Sequence, residues 1–123
     1  MMEDPAISTA THALDAMTAS PDHHAVLLEN DRVRVLDTHV GPGERTAVHV
    51  HEWPAALYVL GWSDFVRMDG RGNVLVDSRS RAAPEAGTAF WIEPLEPHCV
   101  ENVGQGELRI IAVELKPLTL RQP

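Results

Sequence analysis

Alternation with a period of two dominates the chain from Val26 onward. In DRVRVLDTHV (31–40), Val33, Val35, Asp37 and His39 fall on one side of an extended strand and Arg32, Arg34, Leu36, Thr38 and Val40 on the other. Strand-like runs follow at TAVHVH, AALYVL, SDFVRM, NVLVDS, TAFWI, HCVENV and ELRIIAVEL. Glycine- and proline-rich turns punctuate them: GPGER (41–45), DGRG (69–72) and GQG (104–106), with RSRAAPEAG as a longer loop. About eight or nine short strands at a spacing of roughly 8–12 residues, with almost no helical pattern, predict a β-sandwich or barrel.

Residues 1–22 differ in character, being rich in Ala, Ser and Thr with scattered charge. TATHALDAM puts Ala13, Leu14 and Met17 on one side of a short helix, so this stretch is expected to be an N-terminal arm, loose or packed on a partner subunit. Residues 23–123 are expected to form one domain, the size that 123 residues allow. A composition 44% hydrophobic and 23% charged supports a packed core.

Ten Lys and Arg against eighteen Asp and Glu give a net charge of −8, which is no footprint for neutralising phosphates, so nucleic acid is not an expected partner. No apolar run reaches the roughly 20 residues of a membrane span, and the acidic N-terminus lacks the basic-then-apolar order of a secretory signal. With one cysteine, Cys99, no internal disulfide can form, and a cytoplasmic location is expected.

His49 and His51 stand one residue apart in a strand-like run, so both imidazoles project from one face, as a strand must do to offer two ligands to one ion. The pair alone is weak, since a chain with seven histidines can hold His-x-His by accident, as surface or hydrogen-bonded residues. Its surroundings add to it. Gly43 precedes His49 by six residues and Gly61 follows in LYVLGW. Downstream, GTAFWIEPLEPHCVEN (87–102) sets a Gly, prolines, a His and an Asn at ordered spacing.

In these residues the chain resembles the cupin superfamily, whose first motif is G-x5-H-x-H-x3,4-E-x6-G and whose second is G-x5-P-x-G-x2-H-x3-N. The first reads Gly43, His49, His51, Gly61; the second reads Gly87, His98, Asn102. The resemblance spans roughly residues 32–116 and implies an all-β fold, a double-stranded β-helix or jelly-roll cupin barrel. There are departures. The glutamate of the first motif should fall at position 55 or 56, where the chain has Ala55 and Ala56. In the second, Glu93 and Leu95 stand at the Pro and Gly positions, with prolines displaced to 94 and 97.

Carried over residue by residue, the resemblance implies a divalent transition metal held by His49, His51 and His98, a three-histidine site without the carboxylate. Its identity is open among Fe, Zn, Ni, Mn, Cu and Co. Three neutral imidazoles leave the full charge on the ion, which favours an anionic chelating ligand such as an enolate, a carboxylate, a β-diketonate or a thiolate. The expected function is a small metal-binding cupin, a dioxygenase of a small enolisable or chelating organic anion. The alternatives are a non-redox isomerase, lyase or hydrolase, or a non-catalytic small-molecule binder, because the fold hosts all three. Small cupins commonly pair through their sheets, so a homodimer is expected.

Other residues carry less. Tyr58 is a candidate catalytic acid of the pocket, although a core aromatic is the commoner role. Trp53, Trp62, Phe90 and Trp91 either line a pocket mouth or simply pack. Cys99 follows His98, so it points away from the metal and is expected to be buried and inert. His23 and His24 precede the first expected strand and read as an exposed loop pair. His39 is either a pocket residue or a surface one. Glu52 alternates away from His51, and Glu93 could replace the missing glutamate only if the altered second motif bends it inward.

Overall fold

The computed structural model describes residues 12–118. One short helix, α1 (Ala16–Ala19), precedes nine strands: β1 (His24–Glu29), β2 (Val33–Val40), β3 (His49–His51), β4 (Ala55–Gly61), β5 (Phe65–Asp69), β6 (Val74–Asp77), β7 (Ala89–Ile92), β8 (Leu95–Asn102) and β9 (Leu108–Leu115). They form two antiparallel sheets, one of five strands ordered β1-β2-β9-β4-β7 and one of four ordered β3-β8-β5-β6. The alternation predicts a β-sandwich or barrel, and the cupin resemblance implies this all-β double-stranded β-helix.

The period-two pattern sets which face is inward. On β2 the even positions Arg34, Leu36 and Val40 are buried, and on β9 Leu108, Ala112 and Glu114 are buried while Arg109 and Leu115 are exposed. The eight-residue pairing of β2 with β9, Val33 against Leu115 through to Val40 against Leu108, brings these inward faces side by side. A one-residue slip would turn every one of them outward, so the buried alternation itself fixes the register.

The helix begins later than the sequence pattern predicts, because Asp15 caps it: its carboxylate accepts the Met17 N–H at 3.1 Å. Ala16 is fully buried against Leu36, Ala55 and Ala112, and Val50 N–H donates to the Leu14 carbonyl at 2.7 Å, tying residues 14–16 to β3. The remainder of the expected arm, residues 1–11, lies outside the described residues.

β8 starts at Leu95, before Pro97 rather than after it. His49 pairs with His98 and His51 with Leu95, so β8 carries one extra residue between the pairs, and Pro97 sits in that bulge, where its missing N–H costs no ladder bond. The motif glycines Gly43 and Gly87 both take left-handed backbone (φ 77° and 88°), a conformation that disfavours any side chain. Asn102 closes the end of β8: its buried amide donates to the carbonyls of Val40 and Gly106 and accepts from Ser63 Oγ and Gly104 N–H. On the opposite face of β8 from His98, Cys99 is buried with Val66 and Met68, with no disulfide.

Candidate metal centre

Between the two sheets lies a cavity of about 510 Å3 whose wall includes His49, His51 and His98. His49 and His51 point into it from β3, and His98 enters from the paired strand β8, its ring centroid 4.4 Å from that of His49 and 5.5 Å from that of His51. The cavity therefore holds all three histidines that the motif spacing singled out.

A fourth histidine joins them. His24 opens β1, is only 4% exposed, and lines the same cavity. Its ring lies 4.7 Å from that of His49 and 5.7 Å from that of His51, centroid to centroid. This overturns the expectation of an exposed loop pair at His23 and His24. The strand begins at His24, and alternation from that point turns its side chain inward. His23 faces the other way, its Nδ1 donating to the His39 carbonyl at 2.8 Å.

His24, His49 and His51 are positioned to bind a metal ion, with one ring nitrogen of each within 4.8 Å of the others. Three nitrogens on one ion at ~2.1 Å lie ~3.4–3.6 Å apart, so closing this set on an ion takes ring movements of about an ångström.

The hydrogen bonds fix which nitrogen is offered. His24 Nδ1 lies 2.9 Å from the Ser20 carbonyl, His49 Nδ1 2.7 Å from that of Ala47, and His98 Nδ1 2.7 Å from that of Glu96. A carbonyl oxygen only accepts, so Nδ1 carries the proton in each ring and Nε2 keeps its lone pair. His51 Nδ1 faces a carboxylate oxygen, Glu114 Oε2, at 3.3 Å. Outer partners of this kind fix the tautomer and orientation of a metal-binding imidazole. Burial pulls His24 and His49 down to about 3 and His98 to about 4, with the neighbouring imidazoles adding to the effect against the carbonyl bonds that oppose it. At neutral pH these rings are uncharged, the form that binds a metal. The donor set fits a divalent transition metal.

Glu114 is itself held. Its side chain is 1% exposed, and its Oε1 accepts from Arg34 Nε at 2.6 Å. The two terminal nitrogens of Arg34 donate to the two oxygens of Asp15 at 3.0 and 2.8 Å. A buried chain of charge thus runs from the helix cap through Arg34 and Glu114 to His51. Burial pushes the Asp15 carboxyl up, but Arg34 outweighs it and holds the group below its ordinary value. Trp53, between Arg34 and Lys116 (5.0 and 5.3 Å from the ring centroid), covers this chain.

The other sequence candidates fall as follows. Trp53, Trp62, Phe90 and Trp91 all line the cavity, with Phe90 and Trp91 half exposed at its rim. Tyr58 lies on the outer face of β4, 46% exposed, and is not part of the cavity wall. Ala55 is buried and faces the cavity, whereas Ala56 is exposed. Glu93 does not bend inward: it is exposed and accepts the indole N–H of Trp91. His39 is on the surface, 2.6 Å from Glu107. Glu52 is not among the cavity-lining residues.

His24 and Glu114 are the site residues that motif reasoning missed. Glu114 was readable by parity, two positions beyond Ala112 on the inward face of β9. For His24 the signal was its place directly before the apolar run AVLL, at a strand start.

Comparison with known proteins agrees with this architecture. Residues 36–114 match the family described as Cupin domain. No curated protein matches the chain in sequence. Among solved structures, a cupin domain from Bordetella pertussis superposes with a TM-score of 0.63 at 20% identity, covering 76% of this chain and 92% of its own. A protein with a double-stranded β-helix domain from Klebsiella pneumoniae gives 0.54 at 22%, covering 80% of each chain. The polyketide cyclase RemF from Streptomyces resistomycificus gives 0.50 at 22%, covering 80% of this chain and 68% of its own. With the family matched over residues 36–114, most of its length, the chain belongs to the cupin family.

Proposed function

We propose that the protein is a small metal-dependent cupin enzyme, a dioxygenase of a small enolisable or chelating organic anion. The observation that carries this reading is the orientation of the imidazoles. Three have Nδ1 tied to backbone carbonyls and the fourth faces Glu114, so the ring nitrogens left free are the Nε2 atoms. His24, His49, His51 and His98 would hold the ion.

A divalent transition metal bound there supplies a Lewis acid and, where it is iron, redox chemistry with O2. The chain's own residues do the rest. Glu114 orients His51. The imidazoles bring no charge, so an anionic ligand keeps its full attraction to the centre. Trp53, Phe90 and Trp91 give the ligand an apolar wall that limits water. A cavity of about 510 Å3 suits a small organic molecule.

A cytoplasmic location is proposed with this function, supported by the buried free thiol of Cys99. A homodimer is proposed on the edge strand β1, which displays Val26, Leu27 and Leu28 to solvent along an edge that no other described strand pairs. Sedimentation as a monomer at micromolar concentration would refute the dimer.

Elemental analysis of protein purified without a histidine tag tests the central reading, followed by O2-uptake measurements with acetylacetone as the probe diketone. The expected result is about one iron per chain and O2 consumption that requires it. Zinc or nickel without O2 uptake would move the chemistry to non-redox polarisation of a carbonyl. A wild type that binds no transition metal would overturn the reading.

A further inference from the structure

Two donors on the cavity wall are buried and find no acceptor among the described residues: Arg67 Nε and Trp62 Nε1. Both side chains line the same cavity as the histidines. Guanidinium and indole N–H groups can only donate, so neither can be satisfied by turning to offer a lone pair. Buried polar groups in native proteins are overwhelmingly paired, and an orphan calls for a physical explanation.

Arg67 differs from the arginines that the fold pairs with acids, and unlike the exposed Arg32, Arg71 and Arg81 it is half-buried. Arg34, Arg45, Arg79 and Arg109 each meet a carboxylate at 2.5–2.8 Å. The chain has eighteen Asp and Glu, yet among the described residues none pairs with Arg67. Burial, reinforced by the Arg81 guanidinium, pulls the Arg67 group below its ordinary value. A guanidinium nonetheless keeps its charge at neutral pH. A water molecule could take the Nε hydrogen bond, but it would bring no countercharge to the half-buried guanidinium.

The register places this charge beside the candidate metal centre. On β5, Arg67 pairs with Val100 of β8, and His98 lies two residues from Val100 on the same strand face. Phe65, two residues before Arg67, packs its ring edge to face on Trp62 at 5.5 Å. Arg67, Trp62 and Phe65 thus form one wall of the cavity, with His98 at its end.

We infer that Arg67 and Trp62 recognise the carboxylate of an organic anion whose other end lies against the histidine cluster. The planar fork of Arg67 matches a carboxylate with two parallel hydrogen bonds, and the Trp62 N–H adds a third donor. Phe65 and the apolar residues around it cover the ligand's body. The inference rests on the reading of the histidines as the reaction centre, and it narrows the substrate from anions in general to carboxylates held at a second point.

Calorimetric titration with 4-phenylbutyrate and its uncharged amide, 4-phenylbutyramide, tests it on both metal-loaded and chelator-stripped protein. In both forms the wild type is expected to bind the carboxylate at least ~10-fold more tightly than the amide. Arg67→Gln should lose that preference with its metal content unchanged. Arg67→Lys, which keeps the charge without the fork, should retain part of it, and Trp62→Phe should weaken carboxylate binding several-fold. No carboxylate binding by wild type at millimolar concentration would overturn the inference, as would an undiminished preference in Arg67→Gln. A preference that survives in Arg67→Gln and vanishes on stripping would place the carboxylate on the metal, overturning the inference while leaving the metal centre intact. An Arg67-dependent preference in a wild type that holds no metal would instead sink the metal reading and support the carboxylate subsite.

Discussion

The ring of His24 meets that of His49 edge to face, 4.7 Å between centroids, although His24 sits on the edge strand of the five-stranded sheet and His49 on the edge strand of the four-stranded one. The histidine cluster therefore spans the two layers. In the cupin pattern a glutamate from the strand after the histidine pair would complete the set, and here that strand offers Ala55. His24 reaches the cluster from a different strand and exchanges a charged donor for a neutral one.

His24→Ala and His98→Ala are each expected to lower metal affinity by at least ~10-fold, the loss that even outer-shell ligand partners cause. Metal content after dialysis against a graded chelator would measure it. Undiminished affinity in His98→Ala would remove His98 from the set. The same result in His24→Ala would leave the site as the motif alone describes it.

Glu114→Gln tests the buried charge chain. Oε1 accepts from Arg34 and Oε2 faces His51 Nδ1, so the amide oxygen can serve only one of these donors; with it kept on Arg34, the amide NH2 faces His51 Nδ1. The expected cost is roughly 1–3 kcal/mol of stability, from one buried donor left without its acceptor, together with a ~10-fold or greater loss of metal affinity as His51 loses its orienting partner. Denaturant unfolding and metal titration would check the two effects separately. A stable variant with unchanged metal affinity would show that Glu114 does not orient His51.

The alternation in DRVRVLDTHV was enough to put Arg34, Leu36 and Val40 on one face, and the motif spacing singled out His49, His51 and His98, which meet in one cavity. The first is a local signal, set by the two-residue period of a strand; the second comes from the cupin resemblance. The roles of His24, Arg34 with Glu114, and Arg67 were not legible in that way. Each owes its place to pairings between strands distant in sequence: Arg34 and Glu114 are 80 residues apart and meet only through the β2–β9 ladder. The parity argument put Arg34 on the same face as Leu36, but an inward arginine becomes interpretable only once its partners, or for Arg67 the lack of them among the described residues, are visible.

Acid should destabilise the metal-free protein through the histidines. In the unfolded chain each has the ordinary value near 6.5, whereas burial holds folded His24 and His49 near 3 and His98 near 4. Between those values the unfolded state binds more protons, so stability rises with pH across the window and is lost as pH falls from about 6.5 toward 4. Urea midpoints of chelator-stripped protein between pH 7.5 and 4.5 should fall steadily, and the variant His24→Gln should show a shallower slope. A flat profile over that range would mean the rings are not held neutral by burial.

Ala55→Glu restores the residue type that the cupin pattern has, and the structure shows which of the two alanines matters. Ala55 is 4% exposed, lines the cavity, and pairs with Glu114 across β4 and β9, while Ala56 faces out. A carboxylate at 55 would point toward the histidines and partly neutralise an ion held there. It would also crowd Ala16, Leu36 and Ala112, at a cost of about 1–3 kcal/mol of overpacking. The variant is expected to keep its metal and to bind acetylacetonate, the anion that would chelate the ion, at least ~10-fold more weakly, by like-charge repulsion and by occupying the space beside the ion. Ala56→Glu, placed on the outer face, should change neither metal content nor anion binding. Calorimetry on the two variants side by side decides the matter: equal anion affinity in both would show that the cavity's preference for anions does not depend on the absent glutamate.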